Sequence, residues 1–313
     1  MAGPDVLLIG PYPEWDMVEL EPRYTLHKLY EAVDRAAALR EIGSRVRAIA
    51  TRGELGASAE LMMQLRQLEI VSCYGVGTDA IDLSYARGRS IAVTNTPDVL
   101  TEDVADLGVG LLLAVARGIV AGDGHVRSGS WSSRNMGLTT RIYGKRIGIV
   151  GLGRIGAAFA RRMEAFGCEI GYFGRNAKPG SGYRYFADLT ELAAWADALV
   201  VTVAGGAGTR DLIGADAFAA LGPEGIFVNL SRGTTVNEPA LLEALQKRSI
   251  KAAGLDVFQN EPNINPAFRT LENVVLQPHH GSATVETRRA MGKLVRDNLA
   301  AHFAGSPLLT PVA

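Results

Sequence analysis

Residues 147–156 have the sequence Ile-Gly-Ile-Val-Gly-Leu-Gly-Arg-Ile-Gly, and the prediction of the fold starts from these ten residues. A short apolar run ends in Gly-x-Gly-x-x-Gly and leads into a helical pattern, which predicts a buried parallel strand and a turn that feeds a helix. Gly151 permits the tight turn, Gly153 lets the backbone approach a pyrophosphate, and Gly156 lets the helix pack closely on the strand. The N–H groups of the first helical turn would then face the phosphates. We therefore predict a dinucleotide site, the alternative being a glycine-rich turn without a ligand.

The end of the next predicted strand, Glu169–Phe173, indicates which dinucleotide binds. An NAD site usually places an acidic residue here to accept the ribose 2′-OH. This chain instead has Gly174-Arg175-Asn176, and Lys178 adds a second positive charge nearby. An arginine pairs with a 2′-phosphate through a planar fork of donors, which favours NADP(H) over NAD(H). The alternatives are NAD(H) and an Arg175 that is an ordinary surface cation.

Composition excludes several classes of protein. The chain has 313 residues, 47% hydrophobic and 21% charged, which is typical of a globular protein with two domains. Its net charge of −1 gives no electrostatic reason to expect nucleic acid or an anionic membrane as a partner. Two cysteines without metal-ligand spacing favour a reducing compartment over a disulfide scaffold, and we expect no metal site. Residues 1–10 have no basic region and no long apolar stretch, so we expect a cytoplasmic protein without a signal peptide.

The first hundred residues alternate strand and helix. Strands are predicted at Val6–Ile9, Val46–Ala50, Ile70–Tyr74 and Ile91–Val93, with helices at Leu26–Leu39 and Ala59–Gln67. This βαβ series predicts a small parallel sheet that is separate from the glycine fingerprint. A helix from Thr101 would cross into the second domain, and a final helix, Val285–Phe303, would return the chain to the first. We therefore predict boundaries at 98/99 and 284/285, two doubly wound parallel-sheet α/β domains, and an active-site cleft between them.

Polar side chains follow three predicted strands of the second domain. Arg232 follows Ile226–Leu230, Glu261 follows Ala253–Phe258, and His279 follows Asn273–Leu276. Ligands of open α/β sheets bind at the edge formed by the carboxyl ends of the strands. Three polar residues at this edge therefore predict a ligand site. The alternative for each residue, taken alone, is an ordinary surface role.

A turn at the end of the predicted strand Ile70–Tyr74 is the candidate binding site of the first domain. Backbone N–H groups could point together at an anion in the turn formed by Gly75, Val76 and Gly77. The alternative is a tight turn before a helix at Asp79–Arg87, capped by Thr78 or Asp79. Arg52, after the preceding strand, could face the same cleft or the solvent.

Four motifs occur in a familiar order along the chain. Gly-Leu-Gly-Arg-Ile-Gly from Gly151, Leu-Ser-Arg-Gly from Leu230, Gly-Leu-Asp-Val-Phe-x-x-Glu-Pro from Gly254 and Pro-His-x-Gly-Ser-Ala-Thr from Pro278 resemble the D-isomer-specific 2-hydroxyacid dehydrogenase family. Tyr-Phe-Gly-Arg-Asn from Tyr172 is most similar to its NADPH-dependent hydroxyphenylpyruvate, hydroxypyruvate and glyoxylate reductases. The resemblance implies that residues 1–98 and 285–313 form the substrate-binding domain and residues 99–284 the Rossmann NAD(P)-binding domain.

The resemblance also implies a reaction, the reduction of a small 2-keto acid to the D-2-hydroxy acid by hydride transfer. His279 would be the general acid, Glu261 would hold the imidazole and favour its charged form, and Arg232 would grip the substrate carboxylate. Backbone N–H groups of Val76 and Gly77 would also bind the carboxylate, and Asp256 would lie near the nicotinamide carboxamide. The expected substrate-binding residues are Arg52, Gly75, Val76 and Gly77. The expected cofactor-binding residues are Gly151, Gly153, Arg154, Ile155, Gly156, Arg175, Asn176, Lys178, Val203, Thr209, Ser231, Asp256 and Gly281.

The chain departs from the family at Ala204–Thr209, where a glycine-rich loop replaces a Cys-Pro-Leu-Thr-like turn. Two other functions stay open: an NAD(H)-sensing transcriptional corepressor of the same fold, and a dehydrogenase of another small anion such as formate or phosphite. We also expect a homodimer with the irregular arm 127–138 at the interface, because Trp131 in such an arm favours an anchored position. The alternative is an arm that packs on its own subunit.

Overall fold

The computed structural model describes residues 3–312 and divides the chain into two compact units. Unit 1 consists of Met1–Leu100 and Ala283–Ala313, and unit 2 of Thr101–Ser282. Each division lies two residues from the boundary predicted at 98/99 or 284/285.

Unit 1 is built on five parallel strands in the order β2-β1-β3-β4-β5. Its elements in chain order are β1 (Asp5–Leu8), α1 (Glu14–Leu20), β2 (Thr25–Lys28), α2 (Arg35–Ile42), β3 (Val46–Arg52), α3 (Ala59–Gln64), β4 (Ile70–Tyr74), α4 (Leu83–Gly88) and β5 (Ala92–Thr94). The C-terminal helix Val285–Phe303 also belongs to this unit and packs on β4. Strands β1 and β4 are almost wholly buried, so the centre of the sheet is the core of the unit.

The predicted helix Leu26–Leu39 is wrong. Residues 25–28 form the edge strand β2, which pairs in parallel with β1, and a 3-10 turn follows at Leu29–Glu31. The helix begins only at Arg35, where the Asp34 side chain accepts the Ala37 N–H at 2.9 Å. Pairing along β1 overrides the local helical pattern, and the Asp34 cap gives the helix a later start.

The predicted helix Asp79–Arg87 also begins later, at Leu83. Its cap is Asp82, which accepts the Tyr85 N–H at 2.8 Å, and not Thr78 or Asp79. Backbone hydrogen bonds hold residues 80–82 against Ala57, so this segment is extended and cannot join the helix.

Unit 2 is built on seven parallel strands in the order β12-β11-β10-β9-β6-β7-β8. Its elements in chain order are α5 (Thr101–Ala116), α6 (Ile119–Arg127), β6 (Arg146–Val150), α7 (Arg154–Glu164), β7 (Glu169–Phe173), β8 (Arg184–Phe186), α8 (Leu189–Trp195), β9 (Ala198–Val201), α9 (Ala215–Leu221), β10 (Ile226–Asn229), α10 (Glu238–Gln246), β11 (Ala252–Leu255) and β12 (Val274–Leu276); the C-terminal helix of unit 1 is then α11 (Val285–Phe303). The order reverses at β6, between β9 and β7, and this reversal is where open α/β sheets bind dinucleotides. The predicted pair of parallel-sheet α/β domains, the larger of Rossmann type, is confirmed.

No single helix within residues 3–312 is long and apolar enough to cross a membrane, although the bent pair α5 and α6 passes that test when the two are joined.

Candidate active site

The glycine turn between β6 and α7 leaves no room for side chains at two positions. Gly151 has a φ of +97°, and a Cβ there would lie 2.7–3.0 Å from Val203. A Cβ on Gly156 would lie 2.3 Å from the Gly151 carbonyl oxygen and 2.8 Å from Thr202 Oγ1, so the glycine lets α7 pack onto the strand. Within residues 3–312, nothing lies within 4 Å of the Cβ position of Gly153, and no side chain caps the start of α7. This turn fits a dinucleotide pyrophosphate, because there is open space beside Gly153 and the N–H groups at the start of α7 are not capped by a side chain.

The loop after β7 carries positive charge. Arg175 is exposed, has no ion-pair partner among the described residues, and is followed by no acidic residue before Asp188. The Lys178 N–H donates to Tyr172 Oη at 2.7 Å, and its ammonium donates to the Leu152 carbonyl in the glycine turn. The structure therefore brings Lys178 to the fingerprint and leaves the exposed Arg175 and Asn176 at the strand end.

The loop after β9 contacts the loop after β10. Ser231 Oγ donates to the Val203 carbonyl at 2.5 Å, so these two predicted cofactor residues lie together at the carboxyl edge of the sheet. Thr209 ends a one-turn 3-10 helix, and its hydroxyl donates to the Ala204 carbonyl at 2.7 Å across the glycine-rich loop.

His279 and Glu261 form a close pair. His279 Nδ1 lies 2.7 Å from Glu261 Oε2, while Glu261 Oε1 accepts the Phe258 N–H, also at 2.7 Å. The two side chains are 33% and 25% exposed, so the pair is half-buried. Because Nδ1 is engaged by the carboxylate, Nε2 is the ring nitrogen that is left to exchange a proton with a ligand.

Glu261 is held in its ionised form. Burial alone would raise the pKa of its carboxyl group, but the hydrogen bond and charge of His279, the Phe258 N–H and the charge of Arg232 together lower it. A carboxylate that stays ionised at neutral pH stabilises a protonated imidazole beside it.

Backbone contacts fix Arg232 near this pair. The Arg232 carbonyl accepts from Asn229 Nδ2 at 3.1 Å and from Thr235 Oγ1 at 2.7 Å, while its Nη1 donates to the Ser231 carbonyl at 2.8 Å. Gly233 packs so closely on the segment after β11 that a Cβ would lie 1.9 Å from the Phe258 carbonyl carbon. This contact joins the loop of Arg232 to the loop of Glu261, so the structure brings the predicted catalytic trio to one edge of the sheet.

Asp256 has a structural role that sequence reasoning missed. Its buried carboxylate accepts the His280 N–H at 2.6 Å and the Gly281 N–H at 2.9 Å, and its carbonyl accepts the His279 N–H at 2.8 Å. Burial raises the pKa of Asp256, although the two N–H donors act in the opposite direction. These bonds hold His279 at a φ of +53°, in the left-handed region. No local pattern signals contacts that span more than twenty residues, and the cofactor role of Asp256 stays a prediction.

In unit 1, the loop after β4 has two backbone N–H groups without an acceptor in the described part of the chain. The Gly75 N–H donates to Thr96 Oγ1 at 3.0 Å, so it shapes the loop and is not available to a ligand. The N–H groups of Val76 and Gly77 have no acceptor within the described residues. Arg52 Nε pairs with Glu54 Oε1 at 2.7 Å. Substrate roles for these residues stay predictions.

Nothing in residues 3–312 groups three or more His, Cys, Asp or Glu side chains in an arrangement that could hold a metal ion.

Comparisons with known proteins identify the family. Residues 109–281 match the profile of the D-isomer specific 2-hydroxyacid dehydrogenase, NAD binding domain. The chain is 48% identical to a 2-ketogluconate reductase of Gluconobacter oxydans over 99% of both chains, and 46% identical to a hydroxyphenylpyruvate reductase of Plectranthus scutellarioides over 100% of both.

Solved structures agree with these relatives. A 2-hydroxyacid dehydrogenase from Ketogulonicigenium vulgare superposes with a TM-score of 0.93 at 52% identity, covering 100% of this chain and 99% of that one. An NADPH-dependent glyoxylate/hydroxypyruvate reductase from Sinorhizobium meliloti, solved with NADP and malonate, gives 0.91 at 41% identity, covering 100% and 97%. These relatives are keto-acid reductases and 2-hydroxyacid dehydrogenases, which lends no support to a corepressor. With the predicted motifs and fold both confirmed, the chain belongs to the D-isomer-specific 2-hydroxyacid dehydrogenase family and is an NAD(P)-dependent D-2-hydroxyacid dehydrogenase.

Proposed function

We propose that this enzyme reduces a small 2-keto acid of the glyoxylate, hydroxypyruvate or hydroxyphenylpyruvate type to the D-2-hydroxy acid, with NADPH as its preferred reductant. The observation that carries the proposal is the 2.7 Å pair of His279 and Glu261 beside Arg232. An acid, a carboxylate that orients it and a cation for an anionic substrate are the groups that such a reduction needs from the protein.

His279 supplies the proton. When bound, the nicotinamide supplies the hydride, and the oxygen at C2 of the substrate then needs a proton as its charge develops. The imidazolium of His279 gives that proton from Nε2. Glu261 keeps the ring in place through Nδ1, and its own lowered pKa keeps it charged while the proton moves.

Arg232 orients the substrate. Its guanidinium offers two parallel donors to the substrate carboxylate and a positive charge that polarises the C2 carbonyl. In unit 1, the N–H groups of Val76 and Gly77 suit an anionic substrate group, because they have no acceptor within the described residues.

The cofactor preference rests on charge. The turn from Gly151 to Gly156 suits the pyrophosphate, and the exposed Arg175 lies at the end of β7, where an NAD enzyme usually has an acidic residue. A 2′-phosphate gives Arg175 and Lys178 an anionic partner, whereas the 2′-OH of NADH gives them only a neutral one.

The first experiment follows the oxidation of NADPH at 340 nm with glyoxylate, hydroxypyruvate and hydroxyphenylpyruvate. We expect His279→Ala to lose roughly 10²–10⁴-fold in kcat, the usual effect of a positioned general acid. His280→Ala is the matched control, because its exposed side chain is removed while the N–H that Asp256 binds is kept. Near-normal turnover in His279→Ala, or no turnover of any keto acid by the wild type, would refute the proposal.

We further propose a homodimer that uses α6 and the arm after it. Helix α6 has no buried residue, and its exposed apolar side chains continue into the arm. These side chains are Ile119, Val120, Val126, Trp131, Met136 and Leu138. Trp131 is 66% exposed, so it is not packed on its own subunit, and a second copy of the chain would cover it.

Light scattering at micromolar concentration tests this proposal. The dimer requires twice the mass of the 33.3 kDa chain, and Trp131→Ala should weaken the association. A monomeric wild type would refute the dimer, and an undiminished association in Trp131→Ala would refute the anchor. Tyr143→Ala is the control, because Tyr143 is equally exposed, at 66%, but lies outside the arm.

A further inference from the structure

A cluster of charged and aromatic side chains lies beside the Val76–Gly77 loop in unit 1. Strands β3 and β4 pair so that Arg52 stands opposite Tyr74, the last residue before the loop. From α11, the Arg288 guanidinium lies 5.7 Å from the centre of the Tyr74 ring, and Tyr74 Oη donates to the Arg288 carbonyl at 2.5 Å. Two guanidinium groups therefore flank Tyr74 at the entrance to the loop.

The two arginines differ in their partners. Arg52 pairs with Glu54 at 2.7 Å, whereas Arg288 has no carboxylate partner within the described residues. Burial lowers the pKa of Arg288, and the charge of Arg52 acts in the same direction, against the opposing effects of Tyr74 and Glu54. A half-buried guanidinium without an anionic partner, next to a second guanidinium, has hydrogen-bonding capacity that a ligand can use.

The loop and the cluster are adjacent. The Gly53 N–H donates to the Tyr74 carbonyl at 3.4 Å, and a Cβ on Gly75 would lie 3.4 Å from Gly53. If the N–H groups of Val76 and Gly77 hold the carboxylate of a 2-keto acid, the rest of a longer substrate lies within reach of Arg52, Glu54 and Arg288.

We propose that Arg52, Glu54 and Arg288 form a specificity site for the part of the substrate beyond C2, and that this site selects a polyhydroxylated chain, as in a 2-keto sugar acid. The proposal rests on the proposed reduction of 2-keto acids and names the substrate class. Guanidinium groups donate hydrogen bonds to hydroxyl oxygens, and the Glu54 carboxylate accepts hydrogen bonds from hydroxyl groups. The cluster therefore offers both the donors and the acceptor that a hydroxylated chain can use. An aromatic tail would use few of these groups, whereas a hydroxylated chain can use both the guanidinium donors and the Glu54 acceptor.

The test compares selectivity between two substrates. Glyoxylate has no carbon beyond C2 that bears a hydroxyl group, whereas 2-ketogluconate has a hydroxylated chain. We expect Arg52→Gln, Glu54→Gln and Arg288→Gln each to lower the ratio of kcat/KM for 2-ketogluconate to that for glyoxylate by about tenfold or more, the effect of one hydrogen bond to a charged group. Arg289→Gln is the control, because its guanidinium stacks on Trp15, at 5.3 Å, and not on Tyr74; its ratio should match the wild type.

The outcomes separate this proposal from the previous one. Wild-type reduction of glyoxylate without reduction of 2-ketogluconate, or an unchanged ratio in the variants, overturns the specificity site alone. A wild type that reduces neither substrate overturns the proposed function as well. If Arg288→Gln melts at a much lower temperature, the partly exposed Arg52 and Glu54 are the sites that decide the question, through Arg52→Gln and Glu54→Gln.

Discussion

The carboxylate of Glu261 joins the ring of His279 to the backbone of the segment after β11. One oxygen lies 2.7 Å from His279 Nδ1 and the other accepts the Phe258 N–H at the same distance. Both oxygens are therefore engaged, and the carboxylate has a fixed orientation. The charge of Glu261 acts on the imidazole, while its second hydrogen bond prevents rotation.

The first prediction concerns the pH dependence of reduction. Reduction takes a proton from His279, so its rate should fall at alkaline pH. Glu261→Gln keeps the shape but removes the charge that stabilises the imidazolium, so the alkaline limb of kcat/KM should move to lower pH. Because the pKa of Glu261 is lowered in the folded protein, its carboxylate should keep its charge until the pH falls below the ordinary range for Glu.

Glu238→Gln is the control for this profile. Glu238 Oε2 accepts the Gln259 N–H at 3.1 Å, much as Glu261 accepts that of Phe258, but no hydrogen bond joins it to His279. Its alkaline limb should coincide with that of the wild type. An upward shift in Glu261→Gln would contradict the assignment.

The second prediction concerns the support of His279 by Asp256. Asp256→Asn turns one acceptor oxygen into an NH₂ group that faces the N–H of His280 or Gly281. One buried donor is then unsatisfied, which should lower the free energy of unfolding by about 1–3 kcal/mol. We also expect kcat to fall, because the loop no longer fixes His279. Chemical denaturation and steady-state kinetics measure the two effects, and a variant with wild-type stability and kcat would show that Asp256 does not position this loop.

The third prediction concerns the contact between the loops of Arg232 and Glu261. Gly233→Ala puts a Cβ 1.9 Å from the Phe258 carbonyl carbon, so the backbone must move. Overpacking of this kind costs about 1–3 kcal/mol or more, and the movement should also raise KM for the keto acid by displacing Arg232. Gly214→Ala is the control, because nothing lies within 4 Å of its Cβ position. Equal melting temperatures for the two variants would exclude the close contact.

The fourth prediction concerns Arg175. Arg175→Asp removes a cation and adds a repulsive charge where a 2′-phosphate would bind, so kcat/KM for NADPH should fall roughly tenfold to hundredfold. NADH lacks the phosphate and should be much less affected. Arg269→Asp makes the same change at another exposed site of unit 2 and should leave both values unchanged. A wild type that uses NADH more efficiently than NADPH would contradict the cofactor assignment.

Local sequence signals predicted the parts of the structure that depend on short segments. The glycine fingerprint, the buried strands and the positions of Arg232, Glu261 and His279 at strand ends all follow from patterns of a few residues. The helix predicted from Leu26 fails at residues 26–28 because their strand exists only through pairing with β1. The bonds of Asp256 to His280 and Gly281 could not be predicted for the same reason, since they join segments that are distant in the sequence.

The identity of the product formed from hydroxypyruvate and NADPH tests the proposed reduction most directly. Chiral chromatography of the reaction mixture measures the amount and configuration of the glycerate, and absorbance at 340 nm measures the NADPH consumed. We expect one D-glycerate for each NADPH oxidised by the wild type, and almost none with His279→Ala. L-glycerate, or NADPH oxidation without glycerate, would contradict it.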